Sequence, residues 1–418
     1  MAFLKICYLD RIWMVSYMKK NFFTSKHNKL FSCIGAQCED NCCESSWNIF
    51  VNQSTYEQYE ALDKESGAHL LEHMEKRSPD NPANQYAQIQ FDPKNSSCSF
   101  LTNDKWCKIH QEYGFDLLCD TCKYYPRMLK QVDDTYYETG TISCPEMARV
   151  ILLSKIPFEW KPKDEDVSEE RTMQFYSVNQ NYRKYMQETI ESFLQQSTYS
   201  LPQRLQRMGI FINELYAFSD QKMGVSKKIK SAKKIVDSWK AAKVKNQENI
   251  LFPILFQVIS NMEKELVASN NSSRFLTCIQ LFKQGMGIKE QDTIVAYIDT
   301  YRNNALKYYT PYFSEHEYIL ENFCYYYFQH VLFPYDIKEL SYRFLFFSIE
   351  MALLKCLLVG ISGSTERLHP EIIIQVFQSY FKFLHHHRKR YEHYIGMIHT
   401  TLRNYTTDYK ELLQILFH

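Results

Sequence analysis

The 418-residue sequence predicts a predominantly α protein, in which a small, irregular, cysteine-rich metal-binding domain packs on a larger all-helical domain. Three observations carry this prediction. Nine of the thirteen cysteines fall between Cys33 and Cys144, while everything after Cys144 holds only Cys278, Cys324 and Cys356. Beyond residue 172 glycine is sparse and apolar residues recur at three- and four-residue steps, the period of a helix facing a core. Between these two textures lies a polar stretch with Pro162 and the acids Asp164, Glu165, Asp166, Glu169 and Glu170.

Taken in order, residues 1–30 read as an N-terminal tail. Lys5, Asp10 and Arg11 interrupt its apolar residues, so no apolar signal segment followed by a small-residue cleavage site is visible. Residues 31–160 form the cysteine-rich metal or iron-sulfur domain, with short helices or strands and turns such as Phe91-Asp-Pro-Lys-Asn-Ser-Ser97. Its apolar content suits a fold organised by a metal better than one with its own core. Residues 161–172 are the polar linker. Residues 173–418 form the helical domain, with clear periodicity over Pro202–Phe218, Ile250–Val267 and Tyr318–Phe333. Its aromatic runs, Phe323 with Tyr325–Phe328 and Tyr342 with Phe344, Phe346 and Phe347, predict helix packing, because aromatics bury the most area per residue.

Forty-nine basic residues against forty-eight acidic ones leave a formal net charge of +1, which gives no electrostatic footprint for nucleic acid. The local exception is Lys222–Lys245, where nine lysines interleave with Ile229, Ile235, Val236 and Trp239. That segment is either a solvated helix face or a docking surface for an acidic partner protein. No uncharged apolar run reaches the roughly 18 residues of a spanning helix, since Phe344–Ile361 carries Glu350 and Lys355. The expectation is a cytoplasmic protein without membrane insertion. His385-His386-His387 with Arg388-Lys389-Arg390 reads as an exposed basic helix segment, because consecutive helical residues point around the circumference and do not converge.

In a reducing compartment such a cysteine group points to metal binding or catalysis, not disulfides. The candidate ligands are Cys33, Cys38, Cys42, Cys43, Cys98, Cys107, Cys119, Cys122 and Cys144. Adjacent Cys42 and Cys43 point different ways and do not both suit one simple tetrahedral zinc site, whereas an iron-sulfur cluster takes thiolates on several irons. Cys119-Asp-Thr-Cys122 resembles half of a zinc knuckle, with Cys98 and Cys107 or Cys144 as the other half. A [4Fe-4S] cluster and a pair of zinc sites both remain open, because nine thiols exceed what one site needs. His110, three residues after Cys107, is a further candidate ligand.

The run Cys33-Ile-Gly-Ala-Gln-Cys38-Glu-Asp-Asn-Cys42-Cys43 is followed by Trp47, Cys98-Ser-Phe-Leu101 and Trp106-Cys107-Lys-Ile-His110. Then come Gly114, Cys119, Tyr125-Pro126-Arg127 and Ser143-Cys144-Pro145-Glu146. This ordered set resembles the bacterial flagellin lysine-N-methylases and, more loosely, proteins with a CxxxCxxCC-type zinc- or iron-chelating domain. The likeness continues through Leu320-Glu321-Asn322, Phe333-Pro334-Tyr335 and Glu392-His393. The first block departs from the plain motif, with four and three intervening residues.

The resemblance implies an S-adenosylmethionine-dependent protein-lysine N-methyltransferase that acts on flagellin, with S-adenosylmethionine and a [4Fe-4S] cluster or zinc as cofactors. The sequence predicts no Rossmann fold, since Gly285-Met-Gly287 and Gly360-Ile-Ser-Gly363 have no preceding strand. The metal is then expected to be structural. Arg127 is the candidate to grip the carboxylate of the methyl donor, as a guanidinium matches a carboxylate bidentately. Glu321 and Glu392 are candidates to orient the lysine ammonium or to pair on their helices. The aromatic helical half offers faces that favour sulfonium and ammonium groups. The competing reading is a non-enzymatic metal-chelating or iron-sulfur redox module acting on a partner.

Overall fold

The computed structural model describes residues 21–44, 47–94, 97–164, 173–176, 180–240, 247–269, 273–289, 294–332 and 337–418. Linker residues 165–172, Lys243, Lys245 and Phe333-Pro334-Tyr335 lie outside the described residues. The strands are β1 (Asn21–Ser25), β2 (Phe50–Val51), β3 (Met74–Lys76), β4 (Ala87–Ile89), β5 (Arg127–Val132), β6 (Thr135–Gly140), β7 (Trp160–Pro162) and β8 (Met173–Tyr176). Among them run the short helices α1 (Lys26–Leu30), α2 (Gln53–Glu60), α3 (Lys64–Leu71), α4 (Lys108–Tyr113), α5 (Asp120–Tyr124) and α6 (Pro145–Leu152).

The helical domain follows as α7 (Gln180–Leu194), α8 (Leu201–Ala217), α9 (Val225–Ser238), α10 (Gln247–Ala268), α11 (Arg274–Gly285) and α12 (Ile298–Asn304). It ends with α13 (Thr310–Tyr327), α14 (Ile337–Thr365), α15 (Pro370–His385), α16 (Arg388–Arg403) and α17 (Tyr409–Leu416). Two π-helical turns, Ala305–Tyr309 and Phe328–Leu332, bracket α13. The predominantly α fold expected from periodicity is what forms.

Residues 21–30, expected as part of a tail, are ordered as β1 and α1. Phe22 and Thr24 point inward and are buried, and β1 takes an interior place, between β7 and β6, in a five-stranded sheet of order β7-β1-β6-β5-β8. It runs parallel to β6 and antiparallel to β7, while β5 and β6 form a hairpin. Glu138 on β6, almost wholly buried, fixes this arrangement: its carboxylate accepts from Thr24 Oγ1 at 2.9 Å and pairs with Lys163 Nζ at 3.2 Å. A buried carboxylate so satisfied stabilises one register, since slipping the strand would leave it unpaired.

The second sheet, of order β2-β4-β3, covers a small core in the cysteine-rich part. Ile49, Val51, Tyr59, Phe100 and Ile109 are buried together there, with the Tyr59 hydroxyl donating to the Leu117 carbonyl at 2.6 Å. The region therefore has an apolar core of its own, beyond what its composition suggested. The reason is that Tyr59 and Phe100, both large, are fully enclosed.

The large core belongs to the helices. It also takes in Met147, Ala148, Ile151 and Leu152 of α6. At its centre is α14, whose segment Glu339–Thr365 is long and apolar enough to cross a membrane, but 89% of that apolar window is buried inside the protein. α11 crosses α14 where glycines meet: a Cβ on Gly285 would stand 1.9 Å from the carbonyl oxygen of Gly360. Only a glycine permits that approach of two helical backbones.

Candidate functional site

The nine clustered cysteines sit on loop ends and helix starts. Cys33 and Cys38 flank a 3-10 turn at Gly35–Gln37, and Cys107, Cys119 and Cys144 are the N-cap residues of α4, α5 and α6. A helix N-terminus presents unpaired amides and a positive dipole end, which favour a thiolate. Backbone amides in fact reach the sulfurs. Asp40 serves Cys38, Phe100 serves Cys98, Ile109 and His110 serve Cys107, and Glu146 and Met147 serve Cys144.

The loops also bring the thiols to one another. Cys43 lies between Cys42 and Cys98 in thiol-to-thiol hydrogen bonds that raise its pKa and lower those of its two neighbours. Cys122 bonds with Cys119 and is raised well above the ordinary thiol value. Burial pushes Cys38 and Cys107 up to about 11 and Cys144 up to about 12. Cys33 is exposed, and its sulfur accepts from Gly35 N at 3.5 Å.

A single tetrahedral zinc with Zn–S of about 2.3 Å holds its sulfurs within about 3.8 Å of one another. Among the described residues no three of these thiols have sulfurs that all lie within 4.8 Å. Spread thiols with amide donors are the surroundings of a multi-iron cluster, whose ligands serve different irons. The donor set fits such a group. The trio that does meet the 4.8 Å criterion is His69, Glu72 and His73. There the Lys108 ammonium already lies against His69 Nε2, and Glu72 accepts from His69 Nδ1 at 2.9 Å, so the trio is a closed surface network.

The cysteine region joins the helices through a dense polar seam. Asp40 takes Lys382 Nζ at 2.7 Å and Gln378 Nε2 at 2.7 Å, and Gln378 also donates to the Ser143 carbonyl at 2.8 Å. Next to Cys144, the Ser143 hydroxyl meets His386 Nε2 at 2.9 Å and the Tyr125 hydroxyl at 3.2 Å. Trp47 packs on both Tyr125 and His386, with ring centroids 5.1 and 5.6 Å away, and donates its indole N–H to the Cys42 carbonyl at 2.9 Å. Burial, reinforced by Lys382, pulls His386 down to about 3, so its imidazole is neutral.

His385 and His386 thus overturn the expectation of an exposed basic segment. α15 ends at His385, His386 is its C-cap, and His387 is the N-cap of α16, so the chain turns at the triplet and does not continue as one helix. His385 points inward to Glu350 on α14, at 2.7 Å. Glu350 has no exposed surface and also accepts from the hydroxyls of Tyr391, at 2.8 Å, and Tyr327. Burial holds both phenols well above their ordinary range.

A second buried polar site lies where the five-stranded sheet meets α13. Lys130 of β5 donates to the His330 carbonyl in the second π turn, and Thr139 Oγ1 lies 2.5 Å from His330 Nδ1. Burial, with the charge of Arg343, lowers Lys130 to about 7. Tyr326 stacks on the His330 ring at 5.0 Å. This combination brings a lysine amine to roughly even neutral and charged populations at neutral pH.

Of the other residues named from sequence, Arg127 begins β5 with its guanidinium 5.0 Å from the Phe31 ring centroid. Glu392 pairs on its own helix with Arg388 at 2.8 Å, whereas Glu321 of α13 pairs across to Arg204 of α8 at 2.6 Å. His110 is exposed beside Phe115. Glu350, Tyr327, Lys130 and His330 escaped the sequence reading. The available signal was a lone carboxylate in an otherwise apolar helix, which cannot be buried without partners.

Two cavities of about 340 and 320 Å³ lie on the far part of α14 and share Thr310, Lys355, Leu416 and His418 in their walls. Neither includes a clustered cysteine or Arg127.

Residues 173–412 match the sequence model of the FliB lysine N-methylase C-terminal domain. The chain is similar to a lysine-N-methylase of Salmonella choleraesuis and to one of Salmonella typhimurium, each 26% identical over 124 residues, which is 29% of this chain and 30% of the relative. The matched part therefore spans less than a third of the length of those two relatives. It is also similar to the flagellar biosynthetic protein FliU of Salmonella muenchen, 25% identical over 122 residues, 29% of this chain and 71% of that protein. No solved structure matches.

Proposed function

This chain belongs to the FliB lysine N-methylase family, and from that premise we propose that it methylates the side-chain amines of flagellin lysines in the cytoplasm, with S-adenosylmethionine as methyl donor. The observation that carries the reading is the family match over residues 173–412; the FliU resemblance supports a flagellar substrate. Methyl transfer needs a neutral lysine amine aligned with the sulfonium methyl and shielded from water. The lysine ammonium gives its proton to water, the resulting neutral amine attacks the methyl carbon as the carbon–sulfur bond breaks, and the sulfonium leaves as a neutral thioether. Methylation leaves the lysine positively charged at neutral pH.

We assign the cysteine set to an iron-sulfur cluster, with zinc as the alternative ion. A bound metal centre supplies positive charge that keeps the thiols as thiolates and rigidifies loops with little regular structure. Cys42, Cys43, Cys98, Cys119 and Cys122 are the central donors, and Cys38, Cys107 and Cys144 flank them on amide-bonded turns. Around them, Trp47, Tyr125 and His386 exclude water, and the Asp40 seam holds the module against α15. Arg127 is the proposed holder of the donor carboxylate. No acidic side chain among the described residues pairs with its guanidinium, which leaves that bidentate face available.

Mass spectrometry of flagellin incubated with metal-replete protein and S-adenosylmethionine tests the reaction. Mass increments of about 14 daltons on lysines are expected, one methylene each. Their absence with a cognate flagellin ends the methylase reading in favour of a metal or redox module. Iron, acid-labile sulfide and zinc analysis after anaerobic purification distinguishes the two metal assignments.

A further inference from the structure

The outward face of α9 carries positive charges that no acidic group among the described residues answers. Its apolar side, Ile229, Ala232 and Val236, is buried against α8, and Arg207 of α8 fastens the helix end by donating to the Val236 carbonyl and to Asp237 Oδ1 at 3.0 Å. The opposite side bears Lys227, Lys230 and Lys234, spaced three and four apart, and all exposed. Lys222 and Lys240 extend the stripe at either end. Over residues 222–240 seven lysines stand against Asp237 alone, and that aspartate is taken by Arg207. In a chain of net charge +1 this is a concentrated local excess.

The side-chain ammonium groups of Lys222, Lys227, Lys230, Lys234 and Lys240 form no ion pair or hydrogen bond among the described residues. Like charges three and four apart on one helix repel and destabilise it. The repulsion turns into attraction when an acidic surface covers the stripe. We propose that this outward face of α9 is a docking surface for an acidic segment of the polypeptide that the enzyme methylates, a proposal that rests on the lysine-methylase reading above.

The composition of the stripe selects among anionic partners. A membrane surface would engage apolar side chains interleaved with the lysines, but here the apolar side is turned into the protein. Single-stranded nucleic acid would be held by stacking aromatics or arginines; the stripe has no arginine, and its aromatic, Trp239, packs against the helical core. Lysine ammonium groups are mobile point charges that suit the scattered carboxylates of a protein surface. The arrangement also has a logic for this substrate class. A protein recognised by its acids is held away from its own lysines, which remain free to enter the reaction site.

The test measures binding of purified flagellin to the metal-loaded enzyme, with methylation followed in parallel, for the wild type, K227E/K230E/K234E and K227Q/K230Q/K234Q. Loss of three exposed charge pairs predicts flagellin affinity lower by on the order of tenfold in the reversal variant at low salt, with a smaller loss for the glutamine variant. The difference should shrink as salt rises past about 0.15 M. Methylation should show a raised KM with unchanged kcat, and a short uncharged lysine peptide should be methylated equally by all three. Equal flagellin affinity in wild type and both variants overturns the docking proposal, as does weakened binding of duplex DNA with flagellin binding intact. If flagellin binds through the stripe yet is never methylated, the docking surface stands and the methylase reading falls.

Discussion

Replacing Lys130 with methionine gives a test whose size and pH dependence both follow from the structure. The amine is enclosed between β5 and the second π turn, and burial with the Arg343 charge brings it from 10.5 to about 7. That gap corresponds to about 5 kcal/mol of preference for the neutral form in the folded protein. Above pH 10.5 the amine is neutral in both folded and unfolded chains, so the burial carries no proton-linked penalty. As the pH falls from 10.5 towards 7 the unfolded chain takes up a proton that the folded protein refuses, and stability declines; below about 7 both states hold the proton and the decline stops. Methionine removes this penalty and also the hydrogen bond to the His330 carbonyl, which contributes about 1 kcal/mol. Lys130→Met should therefore stabilise the protein by roughly 3 kcal/mol near pH 7 and by little or nothing near pH 10.5. Melting temperatures of metal-loaded wild type and variant, followed by intrinsic fluorescence from pH 6.5 to 10, read the difference directly. A variant that is less stable at pH 7, or a difference that does not change with pH, would refute the reasoning.

Cys→Ala changes at Cys43, Cys98 and Cys122 should lower bound metal measured by mass spectrometry, while Cys278→Ala and Cys356→Ala, in the helical core, should leave it unchanged. Glu350→Ala strands the Tyr327 and Tyr391 hydroxyls and His385, and should cost on the order of 4 kcal/mol in a denaturant titration; Glu350→Gln, which still accepts, should cost less than half of that. Gly285→Ala pushes a methyl against the Gly360 carbonyl and should destabilise by at least about 2 kcal/mol, seen as early proteolysis in the helical half. Arg127→Ala should weaken S-adenosylmethionine binding by calorimetry with no change in metal content.

The helical half was legible because its periodicity is local. Pro202–Phe218 and Tyr318–Phe333 were readable segments, and helices α8 and α13 largely cover them. The sheet was not legible for the opposite reason: β1 pairs with β6 more than a hundred residues away, and no local pattern announces a partner at that distance. The histidine triplet misled because helix continuity was assumed through a position where α15 in fact ends. Glu350 was visible as an interruption of an apolar run, but its partners come from α13, α15 and α16, which no spacing along the chain brings together. The cysteines were plain in the sequence. What the sequence could not give was their arrangement around the Cys42–Cys43–Cys98 chain and the N-caps of three short helices.

The interior position of β1 in its sheet also sets an order of events during synthesis. β1 leaves the ribosome first, yet its neighbours β6 and β7 begin at Thr135 and Trp160, and β8, at the far edge, at Met173. Every cysteine from Cys33 to Cys122 is therefore translated before β6, the parallel partner of β1. At about 5–20 residues per second that leaves several seconds in which β1 has no partner strand. β1 therefore waits unpaired until the later strands arrive, and they draw the intervening chain shut like a cord through a hem.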